Sequence, residues 1–483
     1  MHRYVSLLAL AALAGCTVGP EYKGPETAGA VPPLAGFARA DAAVQPAAPG
    51  AANWWMGFAD PTLDELERRA LAANPNLGVA QARLRQARAA LRLERADGLP
   101  NANAQAMGVF AKLPGVDLGS GSGGESAEID SDVQFYNLGF DASWEVDLFG
   151  GHRRQLEAAR ASIGAAEANL ADAQVSLTAE VAQAYVNLRD RQHRIVLARQ
   201  SADMQRKMLA LTEQRQAAGT ASELQVEQLR GQVEQSDAAV LPLNAERDAY
   251  LNALAVLVGE APGALDALLI APAAVPLPPD AVPVGDPAAL IARRPDVRAA
   301  ERQLAQSTAQ IGTAKAAALP RISFMGLIGI GGTDPGDTLD PDNLAALAIP
   351  QLSWNILDFG RNAAKIGQAE GVRDEAAAQY RGAVLTALQD AEDALSRFGA
   401  RRQTVASAAR SKATAERTAA LMRKRYAGGT VTLIDALDAE RQAMAADQSL
   451  IQATAAMTAD YVALQKALGL GWAPVDEKAE ASR

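Results

Sequence analysis

Cysteine, histidine and aromatic residues are all scarce in this chain, and each shortage removes a class of function. Cys16 is the only cysteine, so neither an intrachain disulfide nor a cysteine-built zinc site is available. Past the first residues only His152 and His193 remain. Neither has a neighbouring serine or cysteine to activate, and no phosphate-cradling glycine loop or metal-ligand cluster accompanies them. The expectation is a protein that is not an enzyme and holds no metal. A formal charge of −10, with no basic patch interleaved with aromatics, speaks against a nucleic-acid partner. No later stretch is apolar for the roughly 18 residues that a spanning helix needs. Any membrane crossing would have to be made by strands.

What the chain does have is a copy of itself. Ser143-Trp144-Glu145-Val146-Asp147-Leu148-Phe149-Gly150 recurs 210 positions later as Ser353-Trp354-Asn355-Ile356-Leu357-Asp358-Phe359-Gly360. On both occasions the hydrophobic period changes at the Phe-Gly from 2 to about 3.5, so a strand gives way to a long helix. Upstream, Pro75 to Pro100 and Pro295 to Pro320 both span 25 positions and read as helices. Two strands follow in each copy, about 102–112 and 131–148 in the first. The second of these sets Tyr136, Leu138, Phe140, Ala142, Trp144, Val146 and Leu148 against a polar opposite face. In the second copy Ile322, Phe324, Ile328 and Ile330 alternate on one strand, and Leu352, Trp354 and Ile356 on its partner. Such length and alternation suit an outer-membrane barrel strand of roughly 9 to 11 residues; a soluble antiparallel sheet is the competing reading.

Beyond each Phe-Gly the heptads begin. Ile163, Leu170, Leu177 and Ala184 form one sevenfold series, and Val181, Leu188, Ile195, Ala202 and Leu209 another. Turns are expected at Gly219-Thr220 and at Gly428-Gly429-Thr430. The outgoing helix, about 153–217, would be roughly 100 Å long and its partner little more than half that. The helix before the strands would fill most of the gap. Two short helices would then pair with one long one in each repeat.

The start of the chain has its own layout. His2 and Arg3 precede an apolar run from Val5 to Leu13, as in a secretory signal. Leu13-Ala14-Gly15-Cys16 resembles the lipobox of bacterial lipoproteins, which makes Cys16 the expected site of lipidation. The resulting division is a signal peptide, 1–15; a lipidated extended N-terminal arm, 16–60; a first repeat, 61–258; a Pro-rich linker, 259–287; a second repeat, 288–469; and a tail, 470–483. Within the arm Trp54, Trp55 and Phe58 supply an anchor. Leu63, Leu66 and Ala70 mark the buried stripe of the first helix.

Four strands cannot close a membrane barrel, which needs about 8. Several copies would have to share one, and the heptad hairpins would continue its wall as a hollow cylinder. The residues themselves leave the subunit number open.

The duplicated order of helix, strand pair and coiled hairpin carries further marks: the lipobox, Gly19-Pro20-Glu21-Tyr22, Trp54-Trp55, Phe58-Ala59-Asp60-Pro61 and Trp354-Asn355-Ile356-Leu357-Asp358-Phe359-Gly360. Together they resemble the lipoprotein branch of the TolC-like outer-membrane efflux factors. The resemblance implies a mixed α and β fold: a four-stranded share of a trimeric 12-stranded outer-membrane β-barrel, continued by a periplasmic α-helical barrel. It also implies a homotrimer that is lipid-anchored in the outer membrane. Its role would be the exit duct of a tripartite efflux system, partnered by a periplasmic adaptor and an inner-membrane pump of the resistance-nodulation-division type. A duct for type I protein secretion and a non-channel coiled-coil lipoprotein are the alternatives.

In that family the turns at Gly219, Thr220, Gly428, Gly429 and Thr430 would dock the adaptor, and Ile434, Asp438 and Arg441 would form the periplasmic gate. Read without the family, Asp438 and Arg441 are an exposed i,i+3 pair. The first copy has Leu224 and Gln228 at those places, so an acidic ring would come from the second copy alone. Trp144 and Trp354 are expected at the lipid boundary with ring buried and N–H wet. Gly150 and Gly360 would permit the bend from strand to helix. Core aromatics beside a helix start are the competing account.

Overall fold

A computed structural model describes residues 17–25, 36–40, 44–45, 52–112 and 132–473. The expected signal peptide, Cys16, residues 26–35, 41–43 and 46–51 of the arm, residues 113–131 and the end of the tail lie outside the described residues. Packing divides the chain into two units. One comprises Met1–Pro25, Arg85–Gly164 and Glu301–Ala378; the other comprises Glu26–Leu84, Ala165–Ala300 and Gln379–Arg483. Each unit draws on both repeats, so this division cuts across the duplication.

The order is the same in both repeats. In the first, α1 (Pro61–Ala73) and α2 (Pro75–Asp97) precede β1 (Asn101–Lys112) and β2 (Asp132–Val146), then α3 (Gly151–Ala217) and α4 (Glu223–Leu257). In the second, α5 (Pro287–Arg293) and α6 (Pro295–Ala317) precede β3 (Arg321–Gly332) and β4 (Leu344–Ser353), then α7 (Arg361–Ala427) and α8 (Leu433–Ala467).

In the first unit the strands form one antiparallel sheet in sequence order. The two repeats join through β2 and β3, where Trp144 lies opposite Phe324 with its ring stacked at 6.2 Å. Partners across an antiparallel pair share a face. One face therefore carries Ala104, Phe140, Ile328 and Ala346 in a row, flanked by the row of Ala106, Leu138, Ile330 and Leu344. The other face changes character along the sheet. Asn101, Asn103, Asp141 and Ser143 line its first hairpin, whereas Met325, Leu327, Leu347 and Ile349 line its second. That apolar second hairpin has no counterpart in the alternation expected of a barrel strand.

Two strand ends differ from the expectation: β2 stops at Val146, which leaves Leu148 past it. β4 stops at Ser353, opposite Arg321, so Trp354 and Ile356 lie past it rather than on it. Pro320 precedes Arg321 and has no N–H with which to extend the ladder.

In the second unit the core forms where helix ends meet the linker. Leu63, Leu66 and Ala70 of α1 are fully buried. Trp54 and Phe58 pack edge-on against Tyr461 at 6.1 and 5.2 Å. The Tyr185 hydroxyl donates to Asp60 Oδ2 at 2.6 Å. Arg189 Nη1 and Gln192 Nε2 donate to the carbonyls of Ala271 and Leu269, at 2.8 and 2.6 Å. Thr458 Oγ1 donates to Pro276 O at 2.9 Å. Within the linker Asp266–Leu269 forms a short helix and Val282–Pro283 pairs in parallel with Val44–Gln45, while the carbonyls just named are satisfied by long-helix side chains.

The short helices stack on the ends of the return helices by one geometry built from different residues. Asn74 Nδ2 donates to Leu257 O at 2.8 Å, and Arg294 Nη1 donates to Ala467 O at 2.9 Å, 210 positions further on. A Cβ at Gly259 would come within 2.4 Å of Ala73 O, and one at Gly469 within 2.8 Å of Arg294. The hairpins are laced by Arg230–Glu213, Arg206–Asp237 and Arg191–Glu246 in the first repeat, and by Lys412–Asp447, Arg423–Glu440 and Arg401–Asp460 in the second. Exposed pairs of this kind contribute little stability each; their spacing fixes antiparallel register.

One buried charge site stands out in α1. Glu67 is fully buried, and neither carboxyl oxygen has a hydrogen-bond partner among the described residues. Burial, and secondarily Asp64, pushes its pKa well above the ordinary range. The folded state therefore holds it neutral, so its contribution is favourable at low pH and is lost as pH rises past the ordinary glutamate range. Glu67→Gln is expected to raise the unfolding temperature at about pH 7.5 and to change it little at about pH 4. Calorimetry at both values checks this; equal shifts at the two would count against a neutral Glu67.

Candidate functional site

Two places concentrate the chemistry, the strand-to-helix junctions and the hairpin turns. At each junction an aspartate holds the first turn of a long helix. In the first copy His152 N and Arg153 N donate to the Asp147 carboxylate, both at 3.1 Å, and Gly150 takes φ +78°. In the second copy the aspartate stands one place later, at Asp358, and accepts from Gly360 N at 3.0 Å and Asn362 N at 2.7 Å. Those amides, Asn362 foremost, hold its carboxyl below the usual range. In this tighter turn Phe359 joins Gly360 in the left-handed region, at φ +53° and +87°. Most side chains resist that region. Nothing lies within 4 Å of a Cβ added at Gly360, so its backbone angle alone calls for glycine.

The tryptophans differ from the expectation of a wet N–H. Trp144 Nε1 donates to Gly98 O at 3.1 Å, and Trp354 Nε1 to Ala318 O at 3.2 Å. Each indole thus occupies a carbonyl at the end of the helix that leads into the sheet, where no intrahelical donor is available. Trp144 is 39% exposed and Trp354 54% exposed. A side chain 46 or 36 positions from its acceptor gives no sequence signal of such a bond.

At the turns both copies end a long helix alike. Gly219 and Gly429 are left-handed at φ +73° and +70°. Thr220 N and Thr430 N donate back to Arg215 O and Arg425 O at 2.8 and 2.9 Å, and both threonine hydroxyls donate to the same carbonyls. These bonds satisfy carbonyls that a helix end leaves open. Gly428 sits where the first copy has Ala218 and does not take a positive φ. The return helices then begin with reciprocal caps, Ser222 with Gln225 and Thr432 with Asp435.

Asp438 and Arg441 form an ion pair within α8, Arg441 Nη2 donating to Asp438 Oδ1 at 2.8 Å, while Gln442 Nε2 donates to Oδ2 at 2.8 Å. Asp438 and Arg441 are each more than two-fifths exposed, and Ile434, one turn earlier, is half-buried. The first-copy counterpart of Ile434, Leu224, is 67% exposed. Asp435, not among the expected gate residues, is also held: Thr432 N and Oγ1 donate to its Oδ2 at 2.9 and 2.6 Å. The Thr432 hydroxyl and amide, then Arg215 and Arg425, keep its carboxyl below the usual range. The Thr-x-x-Asp spacing of a capping box was the signal available for it.

The profile of the family described as outer membrane efflux protein matches residues 66–260 and 287–470, one match per repeat. The chain is 32% identical over 469 residues to outer membrane protein OprJ of Pseudomonas aeruginosa, covering 97% of this chain and 95% of that one. It is 31% identical to the solvent efflux pump outer membrane protein SrpC of Pseudomonas putida, covering 96% and 97%. Among solved structures, the outer-membrane channel OprN superposes with a TM-score of 0.85 at 34% identity, over 95% of this chain and all of the other. With a duplicated helix, strand and hairpin order matched in both halves, the chain belongs to the outer membrane efflux proteins, a family of outer-membrane channels.

Proposed function

We propose that three copies of this chain close their sheets edge to edge into a 12-stranded barrel, 3 × 4 strands, and that their hairpins continue it as a helical tunnel in the periplasm. The assembly is a conduit rather than a catalyst. It serves as the exit duct of a tripartite system, fed by an inner-membrane pump of the resistance-nodulation-division type through an adaptor docked at the turns around Gly219 and Gly429. The name of SrpC, a solvent efflux pump component, supports the pump partnership.

The observation that carries this reading is the open sheet. Its first and last strands have no partner on their outer edges among the described residues. On its more apolar face Leu138, Phe140, Ile328 and Leu352 are 50%, 61%, 47% and 68% exposed. Lipid covers such a face at no cost, but it leaves an unpaired edge unsatisfied, so only closure by further copies completes the structure. An outer-membrane fraction run unheated and boiled on a denaturing gel is expected to show a trimer band that collapses on boiling. A soluble monomer in that experiment would end the channel reading.

Two side-chain roles extend the proposal. Asp438 of three chains around one axis would form an acidic ring, countered by Arg441, and Ile434 an apolar constriction one turn away. Asp438→Ala is expected to raise single-channel conductance in planar bilayers; unchanged conductance and ion selectivity would remove the gate assignment. Gly360→Val should lower trimer yield, because a β-branched residue at that φ costs about 1–2 kcal/mol or more, whereas Gly360→Asn should stay close to the parent. Equal trimer yields from the valine and asparagine variants would contradict the junction's dependence on a left-handed angle.

A further inference from the structure

The segment just after Cys16 is gripped, and nothing in the channel reading uses the grip. Val18 N donates to Phe149 O at 3.0 Å. Arg154 reaches the same segment with two of its donors, Nε to Val18 O and Nη2 to Gly19 O, both at 3.2 Å. A planar guanidinium can bridge consecutive carbonyls in this way, where an ammonium offers only a point charge. The Arg154 side chain is buried at 7% exposure, and its charge is met by Glu157 Oε2 at 2.6 Å.

Close backbone approach completes the seat. Gly19 has φ +94°, and a Cβ there would fall 2.4 Å from Gly312 Cα. A Cβ at Gly312 would fall 2.7 Å from Arg154 Cγ, and one at Gly150 would fall 2.6 Å from Thr17 Cγ2. Gly150, Gly312 and Arg154, from two separate stretches of the chain, thus converge on Thr17, Val18 and Gly19. The second copy is an internal control. Its counterparts of Arg154, Gly312 and Gly150 are Ala364, Arg92 and Gly360, taking the 210 and 220 offsets of the repeat. Gly360 has an empty surrounding. Among the described residues, only the first junction holds a chain segment in this way.

We infer that Arg154, Gly150 and Gly312 form a seat for the stem of the lipid-bearing N-terminus, with Arg154 as its positioning residue. This rests on the reading of Cys16 as acylated. Residue 16 directly precedes the seated stem, so the seat ties the lipid-bearing end to the first strand-to-helix junction of each subunit and not to the second. The anchor then has one fixed position per subunit instead of trailing on a free arm.

Hydrogen exchange on the full detergent-solubilised protein, read by mass spectrometry, tests the seat, while metabolic labelling with radioactive palmitate reads acylation separately. The parent is expected to protect the peptide containing Val18. Arg154→Gln should speed its exchange about tenfold, the factor that loss of one charge-assisted hydrogen bond carries. Gly19→Ala should do the same from the stem's side, without altering the sheet or the helices. Palmitate label should persist in both variants. A parent stem exchanging at the free-chain rate, or exchange unmoved by both variants, overturns the seat. A protected stem without palmitate overturns its role as an anchor point and, distinctly, the lipoprotein reading of Cys16.

Discussion

An unpaired strand edge cannot be left in lipid, and this constraint organises the rest of the chain. In water an open N–H or C=O finds a solvent partner; in hydrocarbon each one left over costs several kcal/mol. The chain carries four long strands with an apolar face, which is enough to enter a membrane and too few to close there. In the proposed assembly the missing partners come from other copies. The duplication then follows as an economical way for one chain to supply two hairpins, each with its own helical continuation.

The two repeats show that a geometry can be kept while its residues change. The stacking bond from a short helix onto the end of a return helix comes from an asparagine amide in one repeat and an arginine guanidinium in the other. The aspartate that starts the long helix shifts by one position, and the turn absorbs the shift by taking a phenylalanine into the left-handed region. The return helices are capped by Ser with Gln in one copy and by Thr with Asp in the other. In every case an orphan backbone group is satisfied, which is what helix ends require. The residue used is secondary.

The copies part company where only one needs a feature. The acidic position Asp438 faces Gln228 in the comparison of repeats, and Arg154 faces Ala364. The second hairpin of the sheet carries Met325, Leu327, Leu347 and Ile349 where the first carries polar residues. A duplicated fold supplies two similar frames, and the proposed gate and seat both fall where the frames depart from each other.

Local chemistry was legible from the sequence. Period 2 giving way to 3.5 at a Phe-Gly, prolines bounding the short helices, glycine at the turns and the sevenfold apolar series are all written within a few residues of one another, so the strands, the long helices and their order follow from residue spacing alone. The stripe Leu63, Leu66 and Ala70 could be named in advance because helical spacing brings those side chains together whatever lies opposite. What only the tertiary structure decided joins residues far apart in the chain: the indole bonds of Trp144 and Trp354 to the ends of earlier helices, the end of β4 at Ser353 opposite a strand that starts after Pro320, the unpaired burial of Glu67, and the grip of Arg154 on the stem after Cys16. The physical reason is that a hydrogen bond or a close approach between distant segments depends on where the backbone brings them, and a one-dimensional pattern carries periodicity but not position.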